Sequence, residues 1–160
     1  MLRWLAEWRE RTPLVTRSAI LVVLPVSAVC GLSGLSAWTR LVPVAATRGL
    51  QLWRLATALL DQGQFFTLLF VLLLLATQMP AHEIRQGSLA FLAHLASTGL
   101  LVNCLYAALA MLLALAGAPI FAAFPAQGLW PTLLATTTAG LLADPAGSSS
   151  FLCLTLPNRV

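Results

Sequence analysis

Long apolar runs without a single charged residue are the feature that most constrains this chain. Residues 18–38 form one such run, between Arg17 and Arg40, and residues 88–115 form another. A helix needs about 20 apolar residues to cross the hydrocarbon core of a bilayer. Only 9% of the 160 residues are charged, against about a quarter in soluble domains, so the chain lacks the polar surface that water requires. The sequence therefore predicts an integral membrane protein.

The apolar runs predict an all-α membrane protein, a bundle of about four transmembrane helices. The expected spans are residues 18–38, 64–79, 88–115 and 129–142. Pro80 and a charged turn over residues 81–87 separate the second span from the third. Residues 117–128 are rich in glycine, proline and phenylalanine and hold no charge, which predicts a tight, partly buried loop.

Two short segments flank the predicted bundle of residues 18–143. Residues 1–17 carry Leu2, Leu5 and Trp8 at helical spacing, which predicts an amphipathic segment lying in the headgroup region. No cleavable signal is evident there, because arginines alternate with glutamates. Residues 144–160 form a short tail, too brief to cross. The distribution of arginines favours both termini on the inner side.

The charged and sulfur-containing residues exclude several classes of function. The nine basic residues are all arginines and are scattered along the chain, so nucleic acid is not an expected partner. Cys30, Cys104 and Cys153 lie far apart, which predicts no disulfide framework. No metal site and no cofactor is predicted. The polar residues in or near the spans are expected to form interhelical hydrogen bonds; they are Gln78, Ser97, Thr98 and Asn103.

Small residues recur at four-residue spacing within the predicted spans. Helices pack closely in lipid where small side chains let their backbones approach. We therefore expect packing seams at these positions, either within this chain or against another: Ser27, Gly31, Ala110, Ala114, Ala135 and Ala139.

Three short motifs stand in a defined order between the apolar runs. They are P-x-V-T-R at residues 13–17, W-R-L-x-T at residues 53–57 and E-x-x-x-G-S-x-x-F at residues 83–91. This series resembles the rhomboid-like superfamily, and is most similar to the non-proteolytic Derlins and the related ubiquitin-associated-domain rhomboid-like proteins. The motif residues are Pro13, Val15, Thr16, Arg17, Trp53, Arg54, Glu83, Gly87 and Ser88.

The resemblance implies a helical bundle with a membrane-embedded first loop that Trp53 and Arg54 fix at the interface. Asp61 is a possible partner of Arg54. Glu83, Gly87 and Ser88 are expected to form the turn that starts the third helix, with Glu83 and Arg85 free to pair or to face water. The chain departs from the family in one respect, because rhomboids and Derlins have six core helices and about four are predicted here.

The sequence Gly31-Leu32-Ser33-Gly34 matches the G-x-S-G motif of rhomboid proteases. A serine nucleophile needs a histidine within hydrogen-bond reach. His82 and His94 are expected near the opposite side of the membrane, and in the family the serine opens the fourth helix. We therefore predict that the chain is not an enzyme and that its site residues are structural.

Two non-catalytic functions remain open from the sequence. The first is a scaffold subunit that packs with other transmembrane proteins and with membrane lipids, such as an accessory subunit of a mitochondrial respiratory or ATP synthase complex. The second, suggested by the resemblance, is a Derlin-like component of endoplasmic-reticulum-associated degradation. The short second and fourth runs favour local thinning of the bilayer in either case. The expected location is the mitochondrial inner membrane or the endoplasmic reticulum.

Overall fold

A computed structural model describes the backbone of residues 12–143, 148–151 and 154–157, and the side chains of residues 12–142. Helices make up most of this part of the chain. In order they are α1 (Leu14–Ser33), α2 (Ser36–Thr39), α3 (Pro43–Thr47), α4 (Arg54–Thr57), α5 (Phe65–Thr77), α6 (Met79–Gln86), α7 (Ser88–Leu115), α8 (Ile120–Ala123) and α9 (Trp130–Ala143), followed by strands β1 (Ser148–Phe151) and β2 (Leu154–Pro157).

Two of these helices, α1 and α7, are long and apolar enough to cross a membrane. Many of their leucines face outward; Leu32 is 91% exposed and Leu89 is 83% exposed. Such surfaces are compatible with an integral membrane protein, in which lipid takes the place of water. The expected third span, residues 88–115, is confirmed with the predicted bounds.

The first span begins and ends earlier than residues 18–38. Pro13 precedes α1 as its N-cap, and Gly34 ends the helix with a positive φ of 70°. A left-handed residue after the last turn is a common helix terminator that glycine adopts without strain. Hydropathy alone missed these two residues, and it therefore placed the span about four residues too late.

The second predicted span continues into another helix. The axis bends by 42° between α5 and α6, and the two helices qualify as one further span only when they are joined. Pro80 lies in the first turn of α6, where a missing N–H costs nothing. The predicted charged turn at residues 81–87 is therefore wrong as far as Gln86. Because α6 carries His82, Glu83, Arg85 and Gln86, we place it outside the membrane-spanning segments.

The fourth predicted span forms the helix α9, which has 14 residues. This helix is too short to count among the candidate spans. The four-span bundle is therefore not confirmed. The loop at residues 117–128 contains the short helix α8 and pairs with the segment after α1 through one antiparallel bridge, between Leu41 and Ala126.

The hydrophobic core joins α1, α5, α7 and α9. Its fully buried side chains come from each of these helices, and they include Val23, Val71, Leu74, Leu75, Phe91 and Leu133. The short helices α5 and α9 thus pack against both long ones. This arrangement fixes the connecting loops at the two ends of the bundle.

The tail forms a hairpin that the sequence did not predict. Strands β1 and β2 pair antiparallel, with Ser148 opposite Pro157 and Phe151 opposite Leu154. The predicted amphipathic segment at residues 1–17 lies outside the described residues up to residue 11. From Leu14 onward, its last residues belong to α1.

Candidate functional site

Glu83 joins three helices at one end of the bundle. Its Oε1 accepts hydrogen bonds from the Val15 amide N–H at 2.8 Å and from the Ser88 hydroxyl at 2.6 Å. Its Oε2 accepts from the amide N–H and the hydroxyl of Thr16, at 2.7 and 2.8 Å. Both amides belong to the first turn of α1, where a helix leaves its N–H groups without internal partners. We call these four residues the Glu83 cluster.

The Glu83 carboxylate is buried in spite of its charge, with 1% of the residue exposed. Burial alone raises the pKa of a carboxyl group. Here the hydrogen bonds from Ser88, Val15 and Thr16 outweigh burial, so the pKa of Glu83 lies below its ordinary value. The expectation that Glu83 pairs with Arg85 or faces water is wrong, because α1 and α7 enclose the carboxylate.

The segment between α1 and α5 folds back into the bundle. The Ser27 hydroxyl lies about 9 Å along α1 from its end at Ser33, and it donates to the Leu60 carbonyl at 3.2 Å. In the interior of α7, the Asn103 side-chain NH₂ donates to the Leu55 carbonyl at 2.6 Å. The segment therefore lies alongside the helices, and not beyond their ends.

Arg54 holds the turns of this segment together. Its Nη1 donates to the carbonyls of Ala37 at 3.0 Å and Arg40 at 2.8 Å. The side chain is 7% exposed, whereas the neighbouring Trp53 is 53% exposed. The suggested pairing of Arg54 with Asp61 is wrong. The Asp61 carboxylate accepts instead from the Thr39 hydroxyl at 2.7 Å and from the Gly63 amide at 2.9 Å.

A cavity of about 510 Å³ lies between this segment, α7 and the start of α9. Amide side chains and aromatic rings share its wall, and no charged residue lines it. We call it the amide-lined cavity. It is bounded by Gln62, Gln64, Thr67, Val102, Asn103, Tyr106, residues 124–128, Trp130 and Pro131.

Some of the polar groups around this cavity are fully used by the protein. Gln62 donates to the Leu59 carbonyl and accepts from the Leu129 amide, each at 3.0 Å. The Tyr106 hydroxyl donates to the Phe124 carbonyl at 2.9 Å. Gln127 differs, because its Oε1 is buried and accepts no hydrogen bond from the part of the chain that the structure describes.

A second cavity, of about 300 Å³, opens between α1 and α7. Apolar side chains such as Val22, Leu92 and Leu95 form nearly all of its wall. The Ser18 hydroxyl in this wall is bonded to the Val15 carbonyl at 2.9 Å. The groove thus offers little chemistry with which to select a ligand.

The structure brings together some of the residues that the sequence analysis singled out. Val15, Thr16, Glu83 and Ser88 meet in one cluster, with Pro13 and Arg17 beside it in the chain. Gly87 joins α6 to α7 with a φ of 84°, a conformation that glycine adopts readily. Trp53 and Arg54 lie in the separate segment before α5. Two of the three motifs therefore form one structural unit.

The predicted packing residues have different surroundings. Ala110 is buried, and Ala114 and Ala135 are half-buried. Ser27 contacts the segment before α5, and not another helix. Gly31 and Ala139 are exposed, and a Cβ at Gly31 would meet no atom within 4 Å. Close packing at Gly31 is thus absent within the described residues.

Ser33 lies at the opposite end of α1 from the Glu83 cluster. Its hydroxyl is exposed and donates to the Val29 carbonyl at 2.6 Å. His82, next to Glu83, is about 25 Å away along the axis of α1, because 17 residues separate Thr16 from Ser33. Burial and the charges of Arg85 and His94 lower the pKa of His82. The structure does not bring Ser33 together with a histidine.

The sequence analysis missed several residues of the amide-lined cavity. Gln62 and Gln127 stood in predicted loops with no pattern to distinguish them. Asn103 was expected to bond another helix, which it does through Leu55 of α4. Gly99, one turn before Asn103, is buried where a Cβ would come within 2.8 Å of Leu59. The row Gly99, Asn103 and Ala107 at four-residue spacing was the available signal.

No protein-family model, curated protein or solved structure matches this chain.

Proposed function

We propose that this chain is a non-catalytic, rhomboid-like integral membrane protein that acts as a structural subunit. In this role it packs with other membrane proteins and thins the bilayer around itself. The observation that carries the proposal is the length of two helices, since α5 has 13 residues and α9 has 14. At 1.5 Å per residue they reach about 20 and 21 Å, whereas a hydrocarbon core is about 30 Å thick.

The short helices are fixed in place by the core. Leu74 and Leu75 of α5 and Leu133 of α9 are fully buried against the long helices. The surrounding lipid therefore meets segments of about 20 Å beside α1 and α7, which reach about 30 and 42 Å. A bilayer responds to such a mismatch by thinning, and neighbouring proteins that cover the short helices remove the cost.

The absence of catalysis in this proposal rests on the position of Ser33. An activated serine needs a base within about 3 Å, and Ser33 lies at the other end of α1 from His82. The rhomboid-like part rests on the Glu83 cluster, in which two motifs that are 67 residues apart bind each other.

Thinning is tested by reconstituting the full chain into phosphatidylcholine bilayers of increasing acyl-chain length. Neutron scattering should show a thinner bilayer at higher protein content, and the effect should grow with lipid length. A matched variant carries one extra turn of leucines in the middle of α9. We expect this variant to thin the bilayer less, and equal thickness with and without protein would refute this part of the proposal.

Partners are tested by purification in mild detergent followed by mass spectrometry. Stoichiometric recovery with a mitochondrial respiratory or ATP synthase complex would support an accessory subunit. Recovery with ubiquitin ligases and an extraction ATPase would support the Derlin-like alternative in the endoplasmic reticulum. Recovery as a lone monomer would contradict both.

A further inference from the structure

The amide-lined cavity contains hydrogen-bond acceptors that the protein does not use. Gln127 Oε1 accepts no hydrogen bond within the described part of the chain. Asn103 donates through Nδ2 to Leu55, and its Oδ1 accepts from none of residues 12–142. A buried acceptor without a donor is unfavourable, and such groups are usually satisfied by a ligand or by water. The cavity is therefore suited to an occupant that supplies O–H or N–H donors.

The wall of the cavity also restricts the charge of this occupant. None of its lining residues is ionisable at neutral pH, apart from the tyrosine hydroxyl already bonded to Phe124. A phosphate or ammonium group would lose its hydration there without gaining an opposite charge, which is strongly unfavourable. The occupant is consequently uncharged.

The position of the cavity indicates which uncharged molecules reach it. Asn103 lies 12 residues before the end of α7 at Leu115, a distance of about 18 Å along the helix. At this depth lipid is the most concentrated molecule, and binding follows concentration. Val102, Phe124 and Trp130 supply an apolar wall beside the amides. Such a combination suits a small polar head on an apolar body.

We propose that the amide-lined cavity binds a neutral lipid whose head group carries hydroxyl groups, such as a diacylglycerol or a sterol. The hydroxyl donates to Gln127 or Asn103, and the apolar body contacts Val102, Phe124 and Trp130. Phosphatidylcholine is a poor ligand for the same site, because its head group is charged and has no hydrogen-bond donor. This inference is independent of the proposed structural role, since a scaffold needs no such selectivity.

The test uses the purified full chain in phosphatidylcholine nanodiscs with photoreactive lipids. The probes are a diacylglycerol analogue, a sterol analogue and a phosphatidylcholine analogue with the same acyl chains as the diacylglycerol. We expect one of the first two to label peptides around residues 102–106 or 124–130 well above the phosphatidylcholine analogue. Labelling by the diacylglycerol or by the sterol distinguishes the two sources of the hydroxyl.

Three variants show whether the label depends on the cavity. Gln127→Leu should reduce selective labelling about two- to tenfold, the effect of one hydrogen bond. Val102→Trp should block the cavity without changing an amide. Gln86→Leu, exposed on α6 at the other end of the bundle, is the control and should leave labelling unchanged. Size-exclusion profiles identify any variant that fails to fold.

Either of two results would overturn the proposal. One is equal labelling by the phosphatidylcholine analogue. The other is selective labelling that persists in folded Gln127→Leu and Val102→Trp alike.

Discussion

The Glu83 cluster and the amide-lined cavity are both polar sites in an apolar chain, but their hydrogen bonding differs. In the cluster, a buried carboxylate accepts four hydrogen bonds from Val15, Thr16 and Ser88. In the cavity, no lining group is charged, and Gln127 Oε1 has no donor among the described residues. The cluster leaves nothing over for a ligand, whereas the cavity does.

This difference separates a structural role from a binding role. A buried charge is tolerated when the protein satisfies it completely, and it then holds its donors in place. Neutral amides cost less to leave open, so they can wait for a ligand. On this basis Glu83 should matter for stability, and Gln127 should matter for occupancy.

The largest effect on stability is expected from Glu83→Ala. This change leaves two amides of α1 and two hydroxyls without their acceptor, and hydrogen bonds to a charged group contribute about 1.5–3 kcal/mol each. We expect the free energy of unfolding in mixed micelles to fall by at least about 3 kcal/mol. Gln86→Ala, on the exposed side of α6, is the control and should change it by less than about 0.5 kcal/mol. Equal effects of the two changes would remove the distinction between the sites.

Acid should produce a smaller version of the same loss. Because the pKa of Glu83 is lowered in the folded protein, its contribution is complete above the ordinary value of 4.5 and is lost as the pH falls through the lower, folded value. Stability measured against pH should therefore decline in this acidic range. Subtracting the curve of Glu83→Gln isolates the contribution, and parallel curves would show that Glu83 does not titrate in this way.

The smallest effect is expected from Gln127→Leu. Removing an acceptor that has no donor should leave stability unchanged or raise it by up to about 1 kcal/mol. Gln62→Leu is a matched comparison in the same cavity, because Gln62 bonds both Leu59 and Leu129. That variant should lose about 1–3 kcal/mol. If thermal unfolding gave Gln127→Leu the larger loss, the view of Gln127 as an unused group would be wrong.

The long helices were the part of the fold that the sequence predicted best. Residues 88–115 are an uninterrupted apolar run that starts after Gly87, and hydropathy was sufficient there. The ends of α1 depend on Pro13 and Gly34, whose effect is local and independent of hydropathy. Pro80 was taken as the end of a helix, although a proline in a first turn is compatible with a new one. Local backbone chemistry therefore decided what the apolar pattern left open.

The sites were less predictable, because their contacts join distant parts of the chain. The order of the motifs drew attention to Thr16, Glu83 and Ser88, but it gave no indication that Glu83 accepts bonds from α1. Gln62 and Gln127 belong to irregular segments, where one sequence has no periodicity to mark a residue that faces a cavity. Burial and tertiary contact distinguish these residues, and neither is a local property.

The Glu83 cluster also has a consequence for biosynthesis. Glu83 follows Val15 by 68 residues, so a ribosome has already released α1 long before the carboxylate that caps it is synthesised. During that interval the amides of Val15 and Thr16 depend on water or lipid head groups. The start of α1 can reach its final place only when translation has passed α6, which makes the first helix one of the last to be secured.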